Sequence, residues 1–453
     1  MDNKENMLAK ANQPAVEAMK LHPFYKGKIE VVPKVCIRDL SDFAIWYTPG
    51  VAKPCLDIRD NPEMVFEHTN KGNTVAVISD GTRVLGLGDI GPAAGLPVME
   101  GKALLFKYLG GIDVFPLMLD TKDPDKIIET VLLLQPGLGG VNLEDISQPK
   151  CFRILDELRQ KATIPVWHDD QQGTATVTVA GFINALRLVD KKIQNVQVAM
   201  VGAGASNYRV AKLLITAGVT PANIIMTDTK GILHKDREDR AELQAKYKEK
   251  WDICINTNGR NVKGGIPEAM KGADAVIALS TPGPNVIKKE WVKSMGSKSI
   301  VFACANPTPE IWPWDAKEAG AVVVATGRSD FPNQVNNSLG FPGIFRGTLD
   351  VQAKTITDEM CIAAAMELAQ LAVDKNLDDE HLLPTMDDWE VFPREAVAVG
   401  MKAIEQGVAK KILSREQLFQ MAVNRISRAR SLTRTMMDTG FIPIPSRYVM
   451  MGD

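Results

Sequence analysis

From about residue 163 onward, short apolar runs recur with helical stretches between most of them. The runs lie at 164–167, 196–201, 224–227, 275–278, 300–303 and 321–325. Strands joined in this rhythm by helices predict a parallel α/β sheet. Before about residue 150 the pattern is less regular. Helical stretches there mix with strand-like runs at 74–79, 84–87 and 114–119. From about 357 to 437 the chain is mostly helical, with alanine-rich segments such as CIAAAMELAQLAV and REAVAVGMKAIEQGVAKK. A length of 453 residues exceeds one ordinary compact domain, so two are expected. The predicted division is a mixed α/β domain over 1–155, a Rossmann-like parallel-sheet domain over 156–390 and a helical segment over 391–453. The tail is expected to pack back on one of the domains.

Two glycine fingerprints compete for one role. The motif G-x-G-x-x-G is complete in GLGDIG (86–91) and nearly so in GAGASN (202–207). Pro92 and Pro97 follow the first, which argues against a helix opening directly after that turn. The second follows the apolar run VQVAMV and leads into a helical stretch at 208–217. A helix N-terminus there offers free N–H groups and a positive dipole end to a pyrophosphate. Asp228 closes the next strand, at about the offset expected for an acid that binds a ribose 2′-hydroxyl. The second motif is therefore the expected dinucleotide site, and the first is expected to shape a loop near the substrate. Asn207 stands where a third glycine or alanine is usual, which puts close helix–strand packing in question.

Two acidic pairs follow apolar runs, Glu144-Asp145 in GGVNLEDIS and Asp169-Asp170 in IPVWHDDQQGTA. Carboxylates at strand ends project into the crevice where α/β sheets bind ligands. Adjacent like charges call for a neutralising hard cation with oxygen ligands, although aspartates at such places also commonly cap helices. Tyr47 and Lys102 are candidate proton-transfer groups if burial and neighbours shift their pKa values. The ordinary alternatives are a packing tyrosine and an exposed helix lysine. Arg83 offers a fork for a carboxylate, and Asn306, Asn336 and Asn337 are either ligand-binding amides or turn formers.

Taken together, these segments resemble the malic enzyme family in its shorter bacterial type. The matching stretches are YTPGVA (47–52), ISDGTRVLGLGDIGP (78–92), EGKALLFK (100–107) and GGVNLEDI (139–146). They continue with HDDQQGTA (168–175), VGAGASN (201–207), ANPTPEI (305–311) and NQVNNSLGFPGIFRGTLD (333–350). They occur in the family's order and span nearly the whole chain. The resemblance implies Glu144, Asp145 and Asp170 as ligands of Mg²⁺ or Mn²⁺, with neutral Lys102 as general base tuned by Asp169. It implies Tyr47 as general acid, and Arg83, Asn306 and Asn337 as holders of the substrate carboxylates. Asn336 would lie close to substrate or nicotinamide. Gly202, Gly204, Ala205, Ser206, Asn207, Asp228 and Asn306 would line the dinucleotide site. PGLGG (136–140), where the family pattern has P-T-F-G-G, is a second departure beside Asn207.

The implied activity is oxidative decarboxylation of L-malate to pyruvate and CO₂ with reduction of NAD or NADP. Asp228 favours NAD, while Lys230, Lys235 and Arg237 lie near enough in sequence to pair with a 2′-phosphate. Malolactic conversion and oxidative decarboxylation of a related β-hydroxyacid are the alternative chemistries. A dinucleotide-sensing scaffold is the non-catalytic one. A net charge of −2 with 45% hydrophobic and 24% charged residues gives no bulk reason to expect nucleic acid or an anionic membrane as partner. No apolar run approaches the roughly 20 residues of a membrane helix, and the N-terminus lacks an apolar signal core. Six scattered cysteines suit reduced thiols in a cytoplasmic protein. The family resemblance suggests a homodimer or higher homo-oligomer.

Overall fold

The computed structural model describes residues 2–445. A first sheet holds β1 (Thr74–Ser79), β2 (Asp113–Met118), β3 (Gly140–Leu143) and β4 (Val166–His168), all parallel in the order β2-β1-β3-β4. Successive residues of a strand face opposite sides of the sheet, and β1 shows both faces buried. Val75 and Val77 join one core with Met99 and Phe106 of α1 (Pro92–Gly110). Ala76 and Ile78 join the other, with Ile127 and Val131 of α2 (Pro124–Leu134) and Leu155 of α3 (Lys150–Lys161).

After β4 the chain makes one π-helical turn, Asp169–Gly173, and runs directly into α4 (Thr174–Val189). The second sheet follows, with β5 (Val198–Val201), β6 (Ile224–Asp228), β7 (Gly231–Ile232), β8 (Ala275–Ala278), β9 (Ile300–Ala303) and β10 (Val323–Thr326). Its order is β10-β9-β8-β5-β6-β7, parallel except for the short antiparallel β7. That is the doubly wound dinucleotide-binding order, whose strand direction of travel reverses between β5 and β8.

The C-terminal helices return to the first sheet. They are α5 (Phe341–Asp350), α6 (Asp358–Asp374), α7 (Val391–Glu405) and α8 (Arg415–Asp438). Phe341 and Phe345 of α5 pack on Phe106, with ring centroids 4.5 and 5.2 Å away. Fully buried Arg346 forks onto Asp350 at 3.0 and 2.9 Å and also donates to Asn73 Oδ1 at 2.6 Å. Arg425 of α8 reaches the same Asn73 oxygen at 3.2 Å. A buried arginine tolerates desolvation only when its donors are met, and these contacts tie the tail to the start of β1.

Three local expectations are corrected. The run at 164–167 forms β4 of the first sheet rather than opening the second, so the first sheet extends past residue 155. The run at 84–87 is no strand, since Val84 makes only an isolated bridge to Gly88. A helix does open directly after GLGDIG, because Pro92 sits at its first position, where a missing N–H costs nothing.

Glu395 of α7 is fully buried, and neither carboxylate oxygen has a partner among the described residues. Burial, and then the charge of Glu367, hold its pKa well above the ordinary carboxyl range. A raised folded-state pKa gives stability that is present below the unfolded pKa and lost as pH rises through the folded one. Glu395→Gln keeps the shape without the charge. Thermal unfolding should show it melting above the parent at about pH 8, with the difference closing toward pH 4. Equal midpoints at both values would show that the carboxyl is no liability.

Candidate functional site

The acidic pairs meet where β3 and β4 end. Glu144 and Asp145 follow β3 directly, and Asp145 takes a left-handed φ of 54°, a conformation aspartate tolerates better than most residues. Its N–H donates to Asp170 Oδ2 at 2.8 Å, and its carbonyl accepts from Arg83 N at 2.9 Å. Glu144 Oε2 accepts from Asn142 Nδ2 at 2.7 Å. Glu144, Asp145 and Asp170 each present an oxygen within 4.8 Å of the others. Burial, reinforced by Asp170, pushes the Asp145 carboxyl up to about 8.

Several buried polar atoms around this point make no hydrogen bond among the described residues, although one, His168 Nδ1, lies 3.6 Å from Asp170 Oδ2. They are Asn142 Oδ1, Asp145 Oδ2, both His168 nitrogens, Gln171 Oε1 and Gln172 Nε2. Native interiors leave few such atoms unmet, so their concentration marks a place prepared for something not made of protein. An all-oxygen, multiply acidic donor set suits Mg²⁺ or Mn²⁺.

Lys102, on α1, is buried beside this trio. Its Nζ lies 2.6 Å from Asp169 Oδ2, 3.1 Å from Glu144 Oε1 and 4.3 Å from the centre of the Phe341 ring. Burial disfavours an ammonium, but Asp169 and Glu144 outweigh it, so the pKa of Lys102 is raised. The expected neutral lysine is thus a cation when the carboxylates are its only neighbours. Asp169 is fully buried and takes a second hydrogen bond from Trp167 Nε1 at 3.2 Å. The π-helical turn brings Asp169 back over its own end, where a Cβ at Gly173 would collide with Asp169 Oδ1. Such turns recur at functional sites because they re-aim side chains within a helix.

The dinucleotide fingerprint lies at the reversal of the second sheet. Gly202, with φ 96°, ends β5, and a Cβ there would stand 2.6 Å from Leu279 O. Gly204 caps the helix Ala205–Thr216, and a Cβ on it would meet nothing within 4 Å, so a phosphate has room to approach. Asn207 answers the doubt its sequence raised. Fully buried, it donates to Val201 O at 2.9 Å and Gly202 O at 2.8 Å, fastening the helix to the strand by hydrogen bonds. Ser206 Oγ donates to Asp170 O at 2.7 Å and so joins the fingerprint to the acidic turn. Asp228 closes β6 and accepts from Arg237 Nη1 at 2.9 Å and Lys250 Nζ at 3.1 Å. Lys230 instead pairs with Asp239 and Glu242.

The remaining sequence candidates are placed unevenly. Asn337 adjoins the turn, its Cβ 3.4 Å from where a Gly173 Cβ would lie. Asn336 Oδ1 accepts from Ser338 N at 2.9 Å and so acts as a cap. Asn306 is exposed at the end of β9, and Arg83 is exposed beside Asp145. Tyr47 stands apart from the buried group, with 68% of its surface exposed. Sequence reasoning singled out none of Asn142, Trp167, Phe341 and Lys250, although the first three lie inside the quoted motifs and only Lys250 is brought in from outside them.

Two family models match the chain, "Malic enzyme, N-terminal domain" over 26–159 and "Malic enzyme, NAD binding domain" over 171–404. A "Bifunctional malic/malolactic enzyme" of Bacillus subtilis is 48% identical over 89% of this chain and 96% of its own. An "NAD-dependent malic enzyme" of Geobacillus stearothermophilus is 46% identical over 85% of this chain and 78% of its own. The crystal structure of an Entamoeba histolytica malic enzyme superposes with a TM-score of 0.94 at 49% identity, covering 98% of this chain and 93% of that one.

Carboxylates bind a cation in their deprotonated form, and burial raises Glu144, Asp145 and Asp170 above the ordinary carboxyl range. Mn²⁺ affinity measured by calorimetry should therefore rise with pH from the acid range through neutrality. Asp170→Asn should weaken Mn²⁺ roughly 10²-fold, at the upper end of what even outer-shell changes cost. Unchanged Mn²⁺ binding in that variant would remove Asp170 from the cation site.

Proposed function

The chain belongs to the malic enzyme family, and from that premise we propose that it converts L-malate to pyruvate and CO₂ while reducing NAD or NADP. The observation that carries this reading is the buried Lys102 in contact with Asp169 and Glu144, with the next residue, Asp170, hydrogen-bonded to Ser206 of the dinucleotide fingerprint. That juxtaposition puts a proton-transfer group, a cation site and a hydride acceptor around one substrate.

When bound, a divalent cation supplies Lewis acidity and the nicotinamide takes up a hydride. Glu144, Asp145 and Asp170 would be the cation's ligands, and Lys102 Nζ, in its neutral form, would accept the C2 hydroxyl proton. Asp169 keeps Nζ in position throughout. Arg83, Asn306 and Asn337 orient the substrate carboxylates, with Asn336 holding the turn that carries Asn337. Tyr47 returns a proton to C3 after CO₂ leaves.

Tyr47 needs cover from water to do so. The segment around it also exposes Val31, Leu40, Ile45 and Trp46. Soluble monomers rarely display so much apolar surface in one stretch, so a second copy of the chain is assigned to this face, in a homodimer or larger homo-oligomer. Among the described residues no helix is long and apolar enough to cross a membrane. All six cysteines are free, which suits the reducing conditions of the cytoplasm.

NAD is the favoured coenzyme, because Asp228 accepts hydrogen bonds from a ribose diol and repels a 2′-phosphate. Its partners Arg237 and Lys250 would face that phosphate if the carboxylate were removed. Asp228→Ser should therefore shift relative kcat/KM toward NADP by roughly 10²-fold, the worth of one or two charge-assisted hydrogen bonds. An unchanged coenzyme ratio would take Asp228 out of the selection.

Absorbance at 340 nm with L-malate and Mn²⁺, run with NAD and with NADP and paired with a pyruvate assay, tests the main reading. Coenzyme reduction matched by pyruvate is the expected result. The bifunctional malic/malolactic enzyme of B. subtilis among the chain's relatives favours malolactic conversion as the second reading, and lactate without net reduced coenzyme would establish it. No product with either coenzyme would sink both. Lys102→Ala should depress hydride transfer by about 10²–10⁴-fold, the usual worth of a general base, while Tyr47→Phe should chiefly slow enolpyruvate tautomerisation. Full rates for both steps in Tyr47→Phe would show that another group is the acid.

A further inference from the structure

Glu310 lies in the ANPTPEI segment but has no part in the chemistry above. It is fully buried, beyond the carboxyl end of β9, and its carboxylate is closely engaged. Oε1 accepts from Ser280 N at 2.8 Å and from Ser280 Oγ at 3.0 Å, while Oε2 accepts from Ala305 N at 3.0 Å. Ser280 belongs to the loop leaving β8, and Ala305 to the loop leaving β9. Its backbone carbonyl accepts from Ile287 N at 3.0 Å, a further bond between the same loops. One carboxylate thus spans the two loops on the β8 side of the sheet's reversal.

Both loops press on groups already placed at the site. A Cβ on Gly202 would meet Ser280 Cα at 3.1 Å, so the fingerprint turn packs against the β8 loop. A Cβ on Gly86 would meet Asn306 O at 2.6 Å, so the glycine loop of the first half packs against the β9 loop. Asn306 immediately follows Ala305, whose N–H the carboxylate holds. Three hydrogen bonds are a large outlay for a buried carboxylate unless they set something in register, since leaving any of those donors unmet is costly.

We propose that Glu310 is a positioning residue that fixes the β8 and β9 loops relative to each other, and so sets both the coenzyme's seat against Gly202 and the placement of Asn306. Glu310→Gln retains one good acceptor but turns an amide N–H toward an existing donor, at Ala305 or at Ser280. The inference rests on the dinucleotide-binding reading alone. The first readout is accordingly direct NADH binding by fluorescence titration, which holds whether or not malate is the substrate.

NADH should bind Glu310→Gln about tenfold more weakly and Ser280→Ala about threefold more weakly. The first sets an amide N–H against an existing donor, while the second removes one hydroxyl bond and leaves both backbone N–H groups on the carboxylate. With malate and Mn²⁺, Glu310→Gln should also raise the primary isotope effect of 2-deuterated malate on kcat/KM, because misaligned hydride transfer becomes more rate-limiting. A role in stability alone would lower the melting midpoint and the active fraction, leaving NADH affinity and the isotope effect at parental values. That pattern in a folded Glu310→Gln would overturn the proposal. If Glu310→Gln does not melt cooperatively, parental NADH affinity in Ser280→Ala overturns it instead.

Discussion

The contact between Lys102 and Asp169 ties the helix covering the first sheet to the turn in which that sheet ends. Phe341 closes over the ammonium from a helix more than two hundred residues away in sequence. A buried ion pair recovers its desolvation cost only with excellent geometry and further hydrogen bonds, and here Trp167 and Glu144 supply them. The same carboxylates crowd a point that only positive charge relieves. The excess of acid over base in this interior is the charge imbalance that the proposed cation site would answer together with Lys102.

The second half of the chain was legible where local pattern and tertiary context agree. β5, β6, β8 and β9 fall within two residues of the apolar runs at 196–201, 224–227, 275–278 and 300–303. Strands buried on both faces carry no alternation, and the glycine and aspartate at their ends punctuate them clearly. The first half misled for identifiable reasons. Val84-Leu85 looks like a strand but sits in a glycine loop with no neighbour to pair with. Pro92 looks like a helix breaker but stands where a helix tolerates proline best. The run at 164–167 reads the same whichever sheet receives it, because sheet membership is a long-range property.

Site residues divide along a similar line. Those carried by contiguous motifs, Glu144-Asp145, Asp169-Asp170 and Gly202–Asn207, were visible as clusters. Lys250, which meets Asp228 across 22 residues, was not, and the pairing of Lys102 with Asp169 across 67 residues was legible only through the family resemblance. Asn207 shows how a departure from a motif is absorbed. The usual third position is small so that helix and strand can touch, and here an amide achieves the contact by donating to both carbonyls of the turn.

The π-helical turn at Asp169–Gly173 is also the covalent seam between the two sheets, since β4 ends where it begins and α4 starts where it stops. A chain that pivoted its halves at a remote linker would leave its acids undisturbed. In this one the backbone of Asp169 and Asp170 is one of two places where the chain passes between the sheets, the other lying between β10 and α5. The five residues that join the two sheets in sequence thus also carry two of the acids of the charged cluster, so the backbone connecting the halves sets where Asp169 and Asp170 stand.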